Sequence, residues 1–220
     1  MTEERTTTGA SRQARAAEPE LRLFVAIELP PEWLQALASL QEQLRRQLED
    51  AAGQRLRWVR PEAIHLTLKF LGEVATSRRE GIERALATAV PAPPGVSLRL
   101  GAVGAFSDRR GPRVVWIAVE GETAPLAELA QRVEGALATL GFARERRPFA
   151  PHLTLARVSE GVDAARREAI ERAIRSATAP NEPAFRVDCV SLMLSHLGPR
   201  GATYERLRAF PSTGPPRENV

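Results

Sequence analysis

The sequence predicts an α+β chain in which one order of strands and helices is written twice. Three observations lead there. Apolar runs with strand-like and helix-like periods alternate along the chain. Corresponding elements of the two halves are offset by roughly 86 to 93 residues. The tetrapeptide His-Leu-Thr-Leu occurs once in each half, beginning at His65 and at His152, 87 positions apart. Alternation alone is common in chains that mix helix and strand; shared order, spacing and motif together indicate duplication.

Residues 1–20 are polar and aperiodic and are expected to form a disordered tail, as is the segment 211–220 (PSTGPPRENV), leaving one domain over 21–210. That domain opens with an apolar strand, Leu21–Leu29, closed by Pro30-Pro31. Pro31 suits the first turn of a helix, where its missing N–H costs nothing. Leu34, Leu37, Leu40, Leu44 and Leu48 then recur at spacings of three and four, predicting an amphipathic helix to about Asp50. A short strand at Leu56–Val59, a strand from Ile64 to Leu71 ended by Gly72, a helix from about Ser77 to Val90 and a strand from Val96 to about Phe106 complete the half. The second half follows suit: a strand at Arg113–Glu120, a helix from Pro125 to Leu140 capped by Thr123 and ended by Gly141, a strand at Phe149–Val158, a helix capped by Asp163 and running to about Thr178, and strands at Phe185–Ser195 and Ala202–Phe210.

In an extended strand, side chains at i and i+2 share a face. Each His-Leu-Thr-Leu therefore presents His and Thr together, about 6.5–7 Å apart, and buries its two leucines on the other side. Taken singly, such a tetrapeptide is an ordinary strand, since threonine is a favoured strand former. Two copies at matching places in a duplicated chain that has only three histidines point to function. The third, His196, has no twin and is expected in a surface or loop role.

Two histidines facing one cleft suit acid–base cleavage of a phosphoester. The ordinary imidazole pKa of about 6.5 lets one ring be neutral while the other is protonated. The neutral ring takes a proton from the attacking water and the protonated ring gives one to the leaving ribose oxygen. Thr67 and Thr154 would hydrogen-bond the non-bridging oxygens. Because the two motifs are identical, the residues alone do not say which histidine is donor and which acceptor.

Composition permits this reading without demanding it. The 31 basic and 27 acidic residues leave a net charge of +4. Lys69 is the sole lysine, so nearly all the positive charge is on arginine, whose planar fork suits phosphate. No apolar run approaches the ~20 residues that span a bilayer, and residues 1–20 lack the apolar stretch of a secretory signal, so a cytoplasmic protein is expected. One cysteine, Cys189, excludes an internal disulfide and a thiolate-rich metal site; it is expected to be a small buried hydrophobe in a strand. Lys69, four residues after His65, is expected on the histidine's face. Phe70 and Phe149 could stack on a base or belong to the core.

The chain resembles the two-histidine phosphoesterase superfamily, in particular its branch of bacterial and archaeal RNA 2',3'-cyclic phosphodiesterases, historically called 2'-5' RNA ligases. The resemblance covers about residues 21–210. It rests on Arg22–Ile27 (RLFVAI), His65–Glu73 (HLTLKFLGE), Pro148–Arg157 (PFAPHLTLAR), and Ser195 followed by Tyr204. It implies a bilobal pseudo-two-fold fold, with an antiparallel sheet in each lobe, helices outside and a central cleft. It implies hydrolysis of a terminal 2',3'-cyclic phosphate on RNA to a 2'-phosphate without metal or cofactor, with reversal to 2'-5' ligation as a side capability. It implies His65 as donor to the departing 3'-oxygen, His152 as acceptor from water, and Arg157 as a contact to phosphate or nucleotide. Arg157 lies five residues after His152, so a regular strand would point it away from the histidine; a bulge or the strand's end must turn it back.

Two readings of other kinds compete. A nucleotide- or RNA-binding module would use the same cleft without turnover, although a binder has no need of two titratable groups. A metallohydrolase would use both histidines as ligands, but the closely spaced His and carboxylate ligands of such sites are absent from the sequence. No protein partner is indicated, and a monomer is expected.

Overall fold

The computed structural model describes residues 18–48, 55–198 and 201–211. Apart from Glu18, Pro19, Glu20 and Pro211, the two expected tails lie outside the described residues, as does the expected end of the first helix at Asp50. The described elements are β1 (Glu20–Glu28), α1 (Pro31–Leu48), β2 (Leu56–Trp58), β3 (His65–Ala75), α2 (Arg79–Ala89), β4 (Ser97–Asp108), β5 (Gly111–Gly121), α3 (Thr123–Ala138), β6 (His152–Val158), α4 (Ala164–Ser176), β7 (Phe185–Arg186), β8 (Val190–Gly198) and β9 (Gly201–Phe210). They form two antiparallel sheets, ordered β3-β1-β8-β9 and β2-β6-β5-β4-β7.

The duplication is visible in this order, with an exchange. The run β3-β1-β8 corresponds to β6-β5-β4, so the third strand of each triplet comes from the opposite half of the chain. The helices are exchanged too: α1 packs on α4 and α2 on α3, so each sheet is backed by one helix from each half. Neither half can bury its apolar strand face without the other. One continuous apolar cluster accordingly runs through both layers, from Val25 and Ile27 of β1 through Leu37 and Leu44 of α1 to Leu153 of β6 and Val133 of α3.

Element ends differ from expectation for local reasons. Gly72 does not end β3: at φ +74° it sits in a bulge, with Leu23 paired to Gly72 and Phe24 to Phe70, and the strand continues to Ala75. Thr123 does not cap α3; Glu122 holds the cap position, where its carbonyl accepts from Leu126 N–H. Asp163 does cap α4, accepting from Arg166 N–H at 2.9 Å. The strand expected at Phe185–Ser195 is two strands in different sheets, β7 and β8, and half-buried Cys189 lies in the link between them rather than in a strand. The strand expected from Phe149 begins only at His152.

Two further bulges set the geometry of the site. In β3, Val25 pairs with Lys69 and Ala26 with Thr67, leaving Leu68 as the extra residue. In β6, Val115 pairs with Ala156 and Trp116 with Thr154, leaving Leu155 as the extra residue. The bulges sit at equivalent positions of the two His-Leu-Thr-Leu motifs, and each reverses the strand's alternation. Leu68 and Lys69 are consecutive buried residues, as are Leu155 and Ala156. The residues after them, Phe70 and Arg157, return to the histidine face, where Phe70 is 67% exposed.

Each bulge is anchored from behind. The carbonyl of Leu155 accepts from Val59 N–H and from the amide of buried Gln41 on α1, both at 2.9 Å. Lys69 is turned away from the histidine face, contrary to expectation. It is 7% exposed and donates to Glu134 of α3 at 2.6 Å and to the Ala143 carbonyl at 2.5 Å. Burial pushes the Glu134 carboxyl up, but the Lys69 ammonium and the Glu145 backbone N–H outweigh it and leave the group below its ordinary range. The stability this pair contributes is therefore present above the ordinary carboxylate range and lost as pH falls through the lowered value. Removing one partner of a buried pair strands the other, so Lys69→Met is expected to cost about 3–5 kcal/mol in denaturant titration, with much of it recovered in Lys69→Met/Glu134→Leu.

Candidate active site

His65 and His152 begin their strands and are held alike. His65 Nδ1 is 2.9 Å from the Ala63 carbonyl and His152 Nδ1 is 2.7 Å from the Ala150 carbonyl, in each case two residues back along the chain. A carbonyl only accepts, so both rings carry their proton on Nδ1 and leave Nε2 as the working nitrogen. A short 3-10 turn at Pro61–Ala63 sets the first carbonyl, and the segment containing Pro151 sets the second. Thr67 and Thr154 are half-buried on the same faces as their histidines, and neither hydroxyl is engaged by another described residue.

The surroundings of the two rings differ. His65 lies between Phe24, at 4.7 Å between ring centroids, and Tyr204, edge-on at 5.0 Å. Its cross-strand partner is Glu28, whose carboxylate is held by the Ser191 hydroxyl at 2.5 Å and by Arg206 at 3.1 Å. Burial lowers the His65 pKa below the ordinary imidazole value, opposed by its bond to the Ala63 carbonyl and by the Glu28 charge. His152 instead faces Phe106, edge-on at 4.8 Å, with Trp116 at 6.4 Å. A Cβ on Gly104 would come within 2.5 Å of the Trp116 ring, so a residue without a side chain lets the indole lie flat on β4. The buried indole N–H has no acceptor among the described residues, so packing rather than a hydrogen bond sets the ring's place.

Arg157 connects the motifs. The bulge at Leu155 puts it on the His152 face, exposed, and its charge reaches the neighbourhood of His65: burial pushes the Tyr204 phenol up, while Arg157, Arg22 and Arg60 pull it down. Arg60, just after β2, spans to the first sheet by donating to the Ala202 carbonyl at 3.1 Å. The two faces are thus opposite walls of one cleft. Phe149 belongs to the rim of the core, packed against the apolar cluster, whereas Phe70 is on the cleft face. His196 lies within β8 near its hairpin, exposed, at 3.2 Å from Glu205. Among the described residues, no three His, Cys, Asp or Glu side chains group as a metal site would need, and no helix is long and apolar enough to cross a membrane.

Sequence reading missed Phe24, Glu28, Phe106 and Trp116. Parity was available for β1, where Phe24, Ala26 and Glu28 alternate toward one face. Which face that is depended on the pairing with β3, and Phe106 and Trp116 depended on β4 crossing into the second sheet.

Matched histidines on the facing walls of a duplicated two-sheet cleft define a two-histidine cleft protein. Residues 29–199 match the family model described as the 2'-5' RNA ligase superfamily. The chain belongs to that superfamily. It is 33% identical over 191 residues to an RNA 2',3'-cyclic phosphodiesterase of Archaeoglobus fulgidus, an alignment covering 86% of this chain and 99% of the relative. It is also 33% identical over 193 residues to one of Geobacillus stearothermophilus, covering 88% of this chain but only 58% of that longer relative. Escherichia coli LigT in complex with 3'-AMP superposes with a TM-score of 0.64 at 27% identity, covering 89% of this chain and all 100% of LigT. A Thermus thermophilus crystal structure does so with a TM-score of 0.70 at 26% identity, covering 86% of this chain and 97% of that one.

Two outcomes test the site. By NMR, His65 is expected to titrate below about 6.5 in the free protein and to move up when phosphate is added, because an anion beside the ring favours the imidazolium; a midpoint above that value, unmoved by phosphate, contradicts the placement. Gly104→Ala is expected to displace the Trp116 ring, costing about 1–3 kcal/mol of stability and altering the near-ultraviolet dichroism.

Proposed function

We propose that the chain is an RNA 2',3'-cyclic phosphodiesterase that opens a terminal 2',3'-cyclic phosphate to a 2'-phosphate by paired histidine acid–base catalysis. The observation that carries this reading is the matched anchoring of the two rings, each with Nδ1 spent on its own chain and Nε2 left for chemistry. The names of the relatives support the substrate.

Water attacks phosphorus and loses its proton to Nε2 of neutral His152. The P–O3' bond breaks, and the departing 3'-oxygen takes the proton of Nε2 of protonated His65. Attack and departure occur on opposite sides of phosphorus, as an in-line displacement needs, with one ring on each wall. Thr67 and Thr154 donate hydrogen bonds to the non-bridging oxygens, and the Arg157 guanidinium balances their negative charge. Burial of His65 favours its neutral form in the free protein, so the substrate's own anionic phosphate, with Glu28 behind the ring, must raise its proton affinity on binding. The same reading has the chain acting as a cytoplasmic monomer, without metal or cofactor.

His65→Ala and His152→Ala are each expected to lower kcat on a 2',3'-cyclic substrate by about 10²–10⁴-fold, or about 3–5 kcal/mol of barrier. Activity should persist in chelator, and product analysis should show a 2'-phosphate. Full turnover by either variant would end the two-histidine mechanism. Binding of cyclic-ended RNA without turnover by the wild type would favour a binding module.

A further inference from the structure

Beyond the His and Thr rows, the cleft face of the second sheet carries one more row that the chemistry above does not use as a whole. Register places Arg57 of β2 opposite Arg157 of β6, Arg157 opposite Val114 of β5, and Val114 opposite Phe106 of β4. Directly paired residues of antiparallel strands project to the same side, and the Leu155 bulge puts Arg157 on the side of His152. Arg57 therefore projects into the cleft. Its neighbour Trp58 goes the other way, where Arg45 of α1 lies 4.9 Å above its ring.

Two like charges directly opposite on paired strands repel, and here no acid relieves them. Four other strand arginines have carboxylate partners: Arg22 with Glu73, Arg113 with Asp108, Arg206 with Glu28 and Arg208 with Glu83. Arg99 and Arg186 have none among the described residues, but neither faces a second arginine across its ladder. Arg57 and Arg157 are exposed, and among the described residues neither guanidinium has an ion pair or hydrogen bond. At the other end of the row Phe106 is 40% exposed; its ring leans from the row toward His152, edge-on at 4.8 Å, and is braced by Trp116 at 5.3 Å between centroids. With strands ~4.8 Å apart, the row is about 14 Å long and lies roughly 7 Å from the Thr154 row, which is the scale of a nucleotide rather than of a single ion.

We propose that this row is the subsite for the nucleotide adjoining the cyclic end. Arg57 takes its phosphodiester, next to the reacting phosphate held by Arg157, and Phe106 stacks its base. A guanidinium fork binds phosphate oxygens in pairs, and an aromatic face accepts any base. The anion supplies the counter-charge that the paired arginines lack. This inference rests on the cyclic-phosphate reading and sharpens it: the preferred substrate is an oligonucleotide, not a cyclic mononucleotide.

The test compares a 2',3'-cyclic mononucleotide with a dinucleotide carrying the same cyclic end. In Arg57→Gln, kcat/KM for the dinucleotide should fall about ten-fold more than for the mononucleotide, chiefly through KM, as expected for a lost charge-assisted contact. Affinity for a labelled trinucleotide ending in a 2'-phosphate, read by fluorescence anisotropy, should fall by a similar factor, with its salt slope shallower by about 0.7. Arg57→Lys should keep the slope while losing part of the affinity. Because Arg57 is exposed and faces a like charge, the Gln variant should melt no lower than wild type, so a loss cannot be unfolding. Equal losses on both substrates, or no loss on either, overturn the subsite. Should the wild type open neither cyclic substrate, the cyclic-phosphate reading fails, and the anisotropy measurement alone decides whether the row binds nucleic acid.

Discussion

The paired bulges at Leu68 and Leu155 govern what each motif can present. A regular strand alternates its faces without exception, so a histidine and a threonine on one face would be followed there by Lys69 in one half and Ala156 in the other. Inserting one residue reverses that alternation just past the motif. The bulge buries Lys69 and Ala156 and delivers Phe70 and Arg157 to the cleft. A bulge leaves backbone groups outside the regular ladder, and these need partners. Gln41 and Val59 supply them at Leu155, and the Lys69–Glu134 pair fastens the other strand to α3. The polar groups buried behind the sheets thus serve the open face in front of them.

The exchange of strands and helices between the halves is the second constraint. A half that kept its own third strand could fold as a lobe and leave its partner free to shift. Here β4 completes the second sheet and β8 the first, so the cleft walls are joined through one apolar cluster. Tight control of the separation between the two histidine faces follows from core packing, which tolerates little displacement.

Much of this was legible in the chain itself. Apolar period and turn residues located nearly every element, and the repeated tetrapeptide located both histidines and both threonines, because strand parity is a local property. Parity also showed that Arg157 needed a bulge or the strand's end to turn it back, and the structure has the bulge. The same rule misplaced Lys69, since the bulge in β3 leaves no mark in the sequence; it depends on which residues of β1 face which of β3. Trp116, Phe106 and Glu28 were hidden for a related reason: their relation to the histidines is set by strand pairing across long sequence separations. The break between β7 and β8 was likewise invisible, because Val187 and Val190 are buried in continuation of an apolar run although the strands on either side belong to different sheets.

A symmetric frame poses a difficulty for the proposed chemistry, which needs one acid and one base. Identical tetrapeptides, identically anchored, cannot by themselves divide those roles, so the division must come from residues at which the halves differ. The register identifies them. Opposite His65 stands Glu28, while the equivalent place opposite His152 is Ala118. A carboxylate beside an imidazole favours its protonated form, so the cationic state is supported on the His65 side, which is where the family resemblance puts the donor. Burial among Phe24 and Tyr204 works against that cation in the free protein. Once phosphate occupies the cleft, the anion, the ring and Glu28 form an alternating row of charges in a partly dry site, where such a row is strongest. His65 would then be charged when substrate is present and neutral when it is not, which keeps an isolated buried cation from weighing on the stability of the empty fold.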